Sequence, residues 1–402
     1  MYKKDNPVVI LGLFETGLAV GRSIGRSGID VVGLDFKKDI GFYSRYIRAR
    51  ICPHPLEEED QFIASLIALG KTQKEKPVLF VTSDDFLASV SRNREYLEEY
   101  FLMNLPDEYI VESVTNKFQQ YSLAQRSGIP VPKTCFPEDL VSVARIRKDL
   151  TYPVFVKAND VNVWRRQISG TTKGFLIGDE YDLMELFKAT LGKGLRMIIQ
   201  EVIYGPDTNH FKFCCYMSKE KKVLLSFTLQ KIRQQPTRFG VGSVVRSVRY
   251  PELSDLGQRF FLAIGYRGVG SAEFKLDKRD GNLKLIELNP RYWQQNALSE
   301  KCGMNFPFVD YLETTGQGPE PVAGFLTGIN WVNIYMDFNS YLVYQRQKEL
   351  TLSGWLRSFK ATKVLSDFAC DDILPGFYEI RFGKRLLRLP RYLLKRLRDS
   401  NA

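Results

Sequence analysis

The sequence predicts an α/β domain followed by an α+β region and a basic C-terminal appendage, and three observations support this order. Short apolar runs alternate with helical patterns over residues 1–112, as in a parallel sheet covered by helices on both faces. Paired strand-like runs around polar turns come next, which is typical of antiparallel hairpins. At 402 residues the chain is long enough for two or three domains with separate cores.

The N-terminal domain is predicted from strands that alternate with helices. Residues 7–14 are a continuous apolar run, and residues 18–27 have a helical pattern before a second apolar strand. With a further strand at 78–82, this βαβ opening predicts a Rossmann-like domain over residues 1–112. Its glycines lack the G-x-G-x-x-G spacing of a dinucleotide site. Asp84, just after the last strand, either caps the next helix or contacts a substrate amine.

Composition narrows the class of protein further. No apolar run reaches the ~18 residues needed to cross a bilayer, and the N-terminus has no signal-peptide pattern, so we expect a cytoplasmic protein. The six cysteines have neither disulfide-framework nor zinc spacing. With two histidines, a histidine metal site or catalytic triad is not expected. Neither RNP-type aromatics nor a helix-turn-helix signal predicts nucleic-acid binding.

The net charge of +11 is concentrated in the C-terminal tail. Eight basic residues lie there with no acid between them: Arg381, Lys384, Arg385, Arg388, Arg391, Lys395, Arg396 and Arg398. One apolar stripe at helical spacing is formed by four leucines: Leu386, Leu389, Leu393 and Leu397. The tail is therefore either an interfacial helix on an anionic membrane, peripheral on its inner face, or a helix whose leucines dock on the body.

Residues 270–293 contain the residues most indicative of a chemical function, and their first part predicts a β-hairpin. Strand-like runs at 270–276 and 283–288 flank a polar turn that contains Asp280 followed by glycine. A five-residue loop over 278–282 would set the first strand against the second in a defined register. In that register, polar side chains of both strands lie on the same face of the hairpin.

These polar side chains predict a metal site. The register places Glu273 opposite Glu287, and Asn289 shares a face with Glu287 because strand side chains alternate. Facing carboxylates repel, and a hard cation such as Mg²⁺, which takes oxygen ligands, would remove the conflict. The alternative is that the hairpin presents an ordinary solvated face with no metal. Arg291 follows in an Asn-Pro-Arg sequence and offers a cationic fork suited to a phosphoryl or acyl-phosphate oxygen.

This arrangement resembles the metal-binding end of the ATP-grasp superfamily, in which a Glu and a later Glu-x-Asn hold two Mg²⁺ ions. The resemblance implies ATP and two Mg²⁺ ions, with Mn²⁺ as an alternative, and it extends upstream. Lys157 lies in an apolar run at 152–158, where a lysine is costly to bury unless an anion pairs with it. The resemblance assigns nucleotide contacts to these residues: Lys117, Lys157, Lys173, Gln200, Glu201, Val202 and Asp207. Residues 159–174 would be the phosphate-covering loop.

A glycine-rich segment between the nucleotide and metal regions is expected to bind substrate. Arg233, Arg238 and Ser243 lie in it, where a Gly-x-Gly-Ser sequence indicates close approach of the backbone to a ligand. The segment resembles the carboxylate–amine ligase subgroup of ATP-grasp enzymes, which includes D-aspartate ligase-like proteins. The resemblance implies a two-lobed ATP-grasp fold over residues 113–320, with lobes at about 113–199 and 200–320, followed by an appendage over 321–402.

The function implied is ATP-dependent ligation of an acidic or amino-acid-like carboxylate to an amine through an acyl phosphate, giving an amide, ADP and phosphate. Arg291 and Lys157 would be catalytic by stabilising charge at the reacting phosphoryl group. Two alternatives stay open. One is the same fold with bicarbonate or a thiol as co-substrate, and the other is a membrane-associated nucleotide-binding protein without ligase activity.

Overall fold

The N-terminal domain contains a four-stranded parallel sheet in the order β3-β2-β1-β4. The computed structural model describes residues 2–159, 174–191 and 195–378. The strands are β1 (Val8–Leu11), β2 (Val31–Asp35), β3 (Arg48–Ile51) and β4 (Val78–Val81), and the helices are α1 (Glu15–Arg26), α2 (Glu59–Lys71), α3 (Asp84–Arg92) and α4 (Arg94–Glu98). β1 pairs with β2 on one side and with β4 on the other, so the strand order reverses at β1. The predicted Rossmann-like layer is confirmed.

A small lobe follows, with a four-stranded antiparallel sheet in the order β5-β8-β6-β7. Two helices lead into it, α5 (Glu108–Thr115) and α6 (Lys117–Arg126). Its elements are β5 (Thr134–Cys135), α7 (Leu140–Ile146), β6 (Val154–Ala158), β7 (Phe175–Ile177), α8 (Glu180–Leu191) and β8 (Met197–Glu201). Their alternate apolar side chains form a separate core between sheet and helices. Most of the predicted phosphate-covering loop, including Lys173, lies outside the described residues.

The large lobe is built on a seven-stranded sheet in the order β13-β12-β9-β10-β11-β14-β15. Its strands are β9 (His210–Met217), β10 (Val223–Gln235), β11 (Val241–Ser247), β12 (Gly268–Leu276), β13 (Leu283–Asn289), β14 (Asn330–Val332) and β15 (Lys363–Leu365). Its helices are α9 (Pro251–Ala263), α10 (Asn296–Lys301), α11 (Phe306–Thr314), α12 (Ile334–Arg346) and α13 (Leu352–Arg357). No helix in the described ranges is long and apolar enough to cross a membrane.

The C-terminal appendage is integrated into the body by sheet pairing and by buried charges. β14 pairs with β11, and β15 then pairs with β14, so two appendage strands continue the large-lobe sheet. Arg233 of β10 forks onto Asp337 of α12 at 2.7 and 2.8 Å. Arg22 of α1 meets Asp372 at 2.8 Å. The appendage therefore contacts both the large lobe and the N-terminal domain.

A buried carboxyl group joins three segments behind the large-lobe sheet. Asp310 of α11 accepts hydrogen bonds from the hydroxyls of Tyr216 (2.9 Å), Tyr292 (2.6 Å) and Thr314 (3.0 Å). Asn104 of the N-terminal domain donates in turn to the Tyr216 hydroxyl at 2.8 Å. Burial raises the pKa of Asp310 to about 7, although the hydroxyl donors act in the opposite direction. Folding therefore favours the protonated form of Asp310.

This raised pKa predicts a pH-dependent loss of stability. Since the unfolded carboxyl titrates near pH 4, stability from Asp310 is complete below about pH 4 and is lost as pH rises through about 7. The two pKa values correspond to about 4 kcal/mol. The thermal midpoint of the wild type should fall between pH 4 and pH 8 relative to that of Asp310→Asn, which cannot titrate. Asp255→Asn, on the exposed face of α9, is the matched control, and parallel curves for wild type and Asp310→Asn would contradict the assignment.

Candidate functional site

The predicted pair of glutamates lies directly opposite on adjacent strands. Glu273 of β12 pairs with Glu287 of β13, and Lys212 of β9 pairs with Glu273 on the other side. Asn289 pairs with Ser271 one pleat further along the same hairpin. Directly opposite residues have Cβ atoms about 5 Å apart, so the two carboxylates share one small region of the sheet face.

The loop length and the strand pairing that produce this register differ from the prediction. The last pair before the turn is Leu276 with Leu283, so the loop has six residues, 277–282, instead of five. A one-residue irregularity then follows, because Phe274 pairs with Leu285 while Glu273 pairs with Glu287, which leaves Ile286 as an extra residue. The longer loop and the bulge compensate each other, and the glutamates face each other as expected.

Three lysines from three different elements neutralise the two glutamates. Lys117, the first residue of α6, reaches Glu287 at 2.7 Å. Lys212 and Lys231 reach the two oxygens of Glu273 at 3.2 and 2.9 Å. Burial by itself would lower the pKa of Lys117, but attraction to Glu287 outweighs it and raises that pKa above its ordinary value. Lys117 therefore stays protonated. Together with Lys212 and Lys231 it sets three lysines against two carboxylates.

The donor set fits a hard cation held jointly by protein and phosphate. Glu273, Glu287 and Asn289 supply carboxylate and amide oxygens on one face, which are the ligands Mg²⁺ prefers. In the described ranges no group of three or more His, Cys, Asp or Glu side chains could hold a metal by itself. Any Mg²⁺ here would therefore need further oxygens from elsewhere, such as those of a bound phosphate.

Lys157 lies on β6 of the small lobe. Its Nζ donates to the side-chain oxygen of Gln200 at 3.0 Å and to the Tyr121 hydroxyl at 3.2 Å. Gln200 is held in turn by donation to Thr134 at 3.0 Å. Gln200 lies within the sheet, and Val202 is the first residue beyond β8. The structure thus brings Lys157 and the predicted hinge together.

Glu201 is the centre of an ion network that joins the two lobes. One of its oxygens accepts from the Lys133 backbone at 2.8 Å and from Lys284 at 3.1 Å, and the other meets Arg279 at 3.1 Å. Asp277 binds the same two cations, and the hydrogen bonds from Arg279 hold the pKa of Asp277 well below its usual range. Glu201 is therefore well placed beside the predicted adenine hinge, where β8 meets the hairpin of β12 and β13. We call this hairpin the metal hairpin, after the predicted ligands Glu273, Glu287 and Asn289.

Other predicted residues have partners inside the protein. Asp207 is buried and accepts hydrogen bonds from Gln234, at 2.6 Å, and from the Tyr344 hydroxyl. Ser243 donates to Asp337 at 3.1 Å, on the same carboxylate that Arg233 grips. These contacts give no support to a ribose role for Asp207 or to substrate binding by Arg233 and Ser243, because their polar groups already hold the appendage.

Arg238 differs from these residues because it remains accessible. Its side chain is 63% exposed and its only near carboxylate among the described residues is Glu349, at 3.5 Å. Its φ of 71° lies in the left-handed region, which an arginine rarely adopts and which fits a tight turn. Substrate binding by Arg238 stays a prediction.

Arg291 connects the metal hairpin to the N-terminal domain. It forks onto the two oxygens of Asp84 at 2.6 and 2.9 Å. Burial by itself would lower the pKa of Arg291, but Asp84, with Glu287 and Glu273, raises it. Asp84 was expected either to cap α3 or to meet a substrate amine. Ser83 is the N-cap instead, and Asp84 is the first helical residue.

Sequence reasoning missed several residues of this site. Lys212 and Lys231 flank Glu273, and Tyr121 donates to the carbonyl of the bulged Ile286 at 3.0 Å. Lys212 and Lys231 could have been noticed, because a lysine within an apolar strand run needs a partner, the argument that identified Lys157. Tyr121 carries no such signal, because a tyrosine on an amphipathic helix is ordinary.

A buried basic pair on the same face was also missed. His210 and Lys275 are paired residues of β9 and β12, two positions from Lys212 and Glu273. Burial, reinforced by Lys231 and Lys275, lowers the pKa of His210 well below its ordinary value, so the imidazole is neutral. Burial also lowers the pKa of Lys275. Both residues extend the polar face of β9 and β12 beyond Lys212 and Glu273.

Comparison with known sequences gives two distant relatives, and no family model matches the chain. The D-aspartate ligase of Enterococcus faecium (strain Aus0004) is 26% identical over 279 residues, which are 65% of this chain and 65% of that protein. The carbamoyl phosphate synthase large chain of Methanobrevibacter smithii is 25% identical over 183 residues, 43% of this chain and 16% of that one. The matched region thus spans just under two thirds of the ligase and a small part of the synthase.

Comparison with solved structures gives the fold. The N5-carboxyaminoimidazole synthetase of Staphylococcus aureus matches with a TM-score of 0.61 and 17% identity, over 80% of each chain. The biotin carboxylase domain of the 2-oxoglutarate carboxylase of Hydrogenobacter thermophilus, a complex with MgADP, ADP and bicarbonate, matches with a TM-score of 0.61 and 18% identity. It covers 81% of this chain and 73% of that one. The chain is similar in sequence to D-aspartate ligase and has the fold of ATP-grasp enzymes, as its motifs predicted.

Proposed function

We propose that this chain is an ATP-dependent carboxylate–amine ligase that forms ADP. The observation that carries the proposal is the convergence of Glu273 and Glu287 with Lys117 and Arg291 on one face of the large lobe. Lys157 of the small lobe lies beside Gln200 of the predicted hinge and is linked to β13 through the Tyr121 hydroxyl. Sequence similarity to D-aspartate ligase and the ATP-grasp fold support the same class.

The basic residues, together with Mg²⁺ on its predicted ligands, would neutralise the negative charge of a bound polyphosphate. Lys117, Lys212 and Lys231 make the metal face electropositive, so they favour binding of an anionic nucleotide. Mg²⁺ held by Glu273, Glu287 and Asn289 would supply charge neutralisation at the β- and γ-phosphates. Two ions are proposed, with Mn²⁺ as a substitute. Lys157 and Arg291 would hold the γ-phosphoryl group between the lobes, and Val202 would meet the base.

The reaction proposed needs no nucleophilic side chain. An oxygen of the substrate carboxylate attacks the γ-phosphorus, the bond to ADP breaks, and an acyl phosphate forms. The amine then attacks the acyl carbon, the phosphate leaves, and the amine loses a proton as the amide forms. The protein contributes positioning and electrostatic stabilisation, which supply most of the catalysis in phosphoryl transfer. Arg291 would stabilise the developing oxyanion, an effect usually worth about 3 kcal/mol per donor.

The substrate that supplies the carboxylate is proposed to be a small acidic or amino-acid-like molecule that enters beside Arg291 and Arg238. Its alternative is bicarbonate, because the solved structures that share the fold include carboxylating enzymes, one of them in complex with bicarbonate. Either acid would use the same phosphoryl-transfer residues. The two differ in whether an amide or a carbamate is the product.

A screen of acid–amine pairs tests the proposed function. We expect ADP and phosphate to appear in equal amounts only when Mg²⁺ or Mn²⁺, one acid and one amine are all present. D-aspartate is the first acid to try, because a relative is named for it. Mass spectrometry of the product distinguishes an amide from a carbamate in a parallel bicarbonate reaction. Release of AMP and pyrophosphate, or no ATP turnover with any pair, would contradict the proposal.

The metal assignment predicts the effect of Glu287→Gln. This change keeps the size of the side chain but removes one ligand charge and the ion pair with Lys117, so kcat should fall by ~100-fold or more. The apparent Mg²⁺ requirement should rise as well. Glu99→Gln, an exposed glutamate at the end of α4, is the matched control. Near wild-type turnover by Glu287→Gln, with an unchanged circular dichroism spectrum, would rule out the metal site.

A second part of the proposal concerns an anionic membrane surface. The basic tail itself lies outside the described residues, but three apolar side chains just before it are accessible. Ile373, Leu374 and Phe377 are 50%, 59% and 55% exposed. Together with eight basic residues that can each contribute about 1 kcal/mol near anionic lipid, they support peripheral binding on the inner face of the membrane. Such binding would place the ligase beside a lipid-linked substrate.

Vesicle co-sedimentation tests the membrane proposal. The full-length chain should sediment with anionic vesicles at low salt, less at high salt and not with neutral vesicles. Removal of residues 381–402 should abolish binding, and a triple serine variant at Ile373, Leu374 and Phe377 should weaken it. Val141→Ser, at another exposed apolar side chain, is the control. Equal sedimentation of full-length and truncated chains would overturn the idea, and an insoluble truncated chain would favour a tail docked on the body.

A further inference from the structure

The pair formed by Asp84 and Arg291 crosses from the N-terminal domain to the metal hairpin. Asp84 begins α3 three residues after the end of β4, at the carboxyl end of that strand of the parallel sheet. Arg291 follows the end of β13, two residues after Asn289. The two side chains meet as a fork, with Nε to Oδ1 at 2.6 Å and Nη2 to Oδ2 at 2.9 Å. Nothing about Asp84 in the sequence predicts this contact.

The fork leaves a defined part of the guanidinium available. A guanidinium has five N–H groups in a rigid plane. Asp84 takes the Nε–H and one Nη2–H, and the Tyr292 carbonyl accepts one Nη1–H at 3.1 Å. Among the contacts to described residues, one N–H on each terminal nitrogen remains. Two such donors suit a pair of phosphoryl or carboxylate oxygens.

Asp84 also determines which carboxylate Arg291 binds. Glu287 and Glu273 attract the same guanidinium over a longer range. Without the charge of Asp84, the best remaining anionic partners on the described residues would be those two metal-site glutamates. A guanidinium that turned towards them would both leave the reacting group and compete with the metal for its ligands.

We propose that Asp84 is a positioning residue that fixes the plane of Arg291, so that its two remaining N–H groups face the reacting phosphoryl or acyl-phosphate oxygens. The identity of the reacting group rests on the proposed function, whereas the orientation of Arg291 does not. The N-terminal domain thus takes part in the chemistry through one carboxylate. Since small misplacements at a reacting centre cost ~100-fold in rate, the effect should be large.

The test compares Asp84→Asn with Asp85→Asn, its neighbour in the same first turn of α3. Both changes remove one negative charge from the helix start, but only Asp84 binds Arg291. In Asp84→Asn we expect kcat to fall ~10- to 100-fold, the apparent Mg²⁺ requirement to rise, and KM for ATP to change little. Asp84→Glu, which keeps the charge, should recover part of kcat, and Asp85→Asn should behave as wild type.

A double variant separates positioning from a general structural effect. If Asp84 acts through Arg291, then Asp84→Asn should cause little further loss in an Arg291→Ala background. Full additivity of the two losses, an equal loss in Asp85→Asn, or an unchanged kcat in Asp84→Asn would overturn the proposal.

A measurement without turnover keeps this inference separate from the proposed function. In protein labelled with ¹⁵N-arginine, the Nε–H signal of Arg291, identified by its loss in Arg291→Lys, should be protected from exchange with water. That protection should vanish in Asp84→Asn and persist in Asp85→Asn. If the signal behaves so while no acid–amine pair supports ATP turnover, the positioning contact stands and the proposed function fails. An unprotected wild-type signal would overturn the contact itself.

Discussion

The structure of the site depends on relieving the electrostatic repulsion between Glu273 and Glu287, which face each other on neighbouring strands. Like charges directly opposite each other on neighbouring strands destabilise a sheet. Lys117, Lys212 and Lys231 relieve this repulsion, and each comes from a different element. The fold must bring α6, β9 and β10 to the hairpin before the pair is tolerable. Because three cations meet two anions, the same solution leaves a surface suited to polyphosphate.

The position of α6 follows from the exposed edge of the seven-stranded sheet. β13 is the last strand on that side, so its outward backbone groups need partners. Lys117, Gln120 and Tyr121 share one face of α6 at spacings of three and four residues. Gln120 and Tyr121 donate to backbone carbonyls of β13, and Lys117 pairs with its glutamate. One helix therefore both covers the sheet edge and supplies a charge to the site.

The C-terminal appendage is held by buried ion pairs that need all of their partners. Asp337 is fully buried and accepts from Arg233, Ser243 and the Trp355 indole, and removal of any one would leave a buried charge poorly satisfied. Asp372 plays the same part for Arg22 in the N-terminal domain. These contacts give Arg233 of β10 and Ser243 of β11 a structural role in holding the appendage.

The sequence by itself determined the elements whose signals are local. Alternating apolar runs predicted the parallel layer, and the spacing of Glu273, Glu287 and Asn289 predicted a shared face, because strand periodicity is a property of the chain alone. Lys157 was identified because a lysine in an apolar strand implies a partner. Only the tertiary structure decided which partner each charge has. Asp84 with Arg291, Arg233 with Asp337 and Lys117 with Glu287 are far apart in sequence, and such pairings depend on how separate elements pack, for which no local pattern exists.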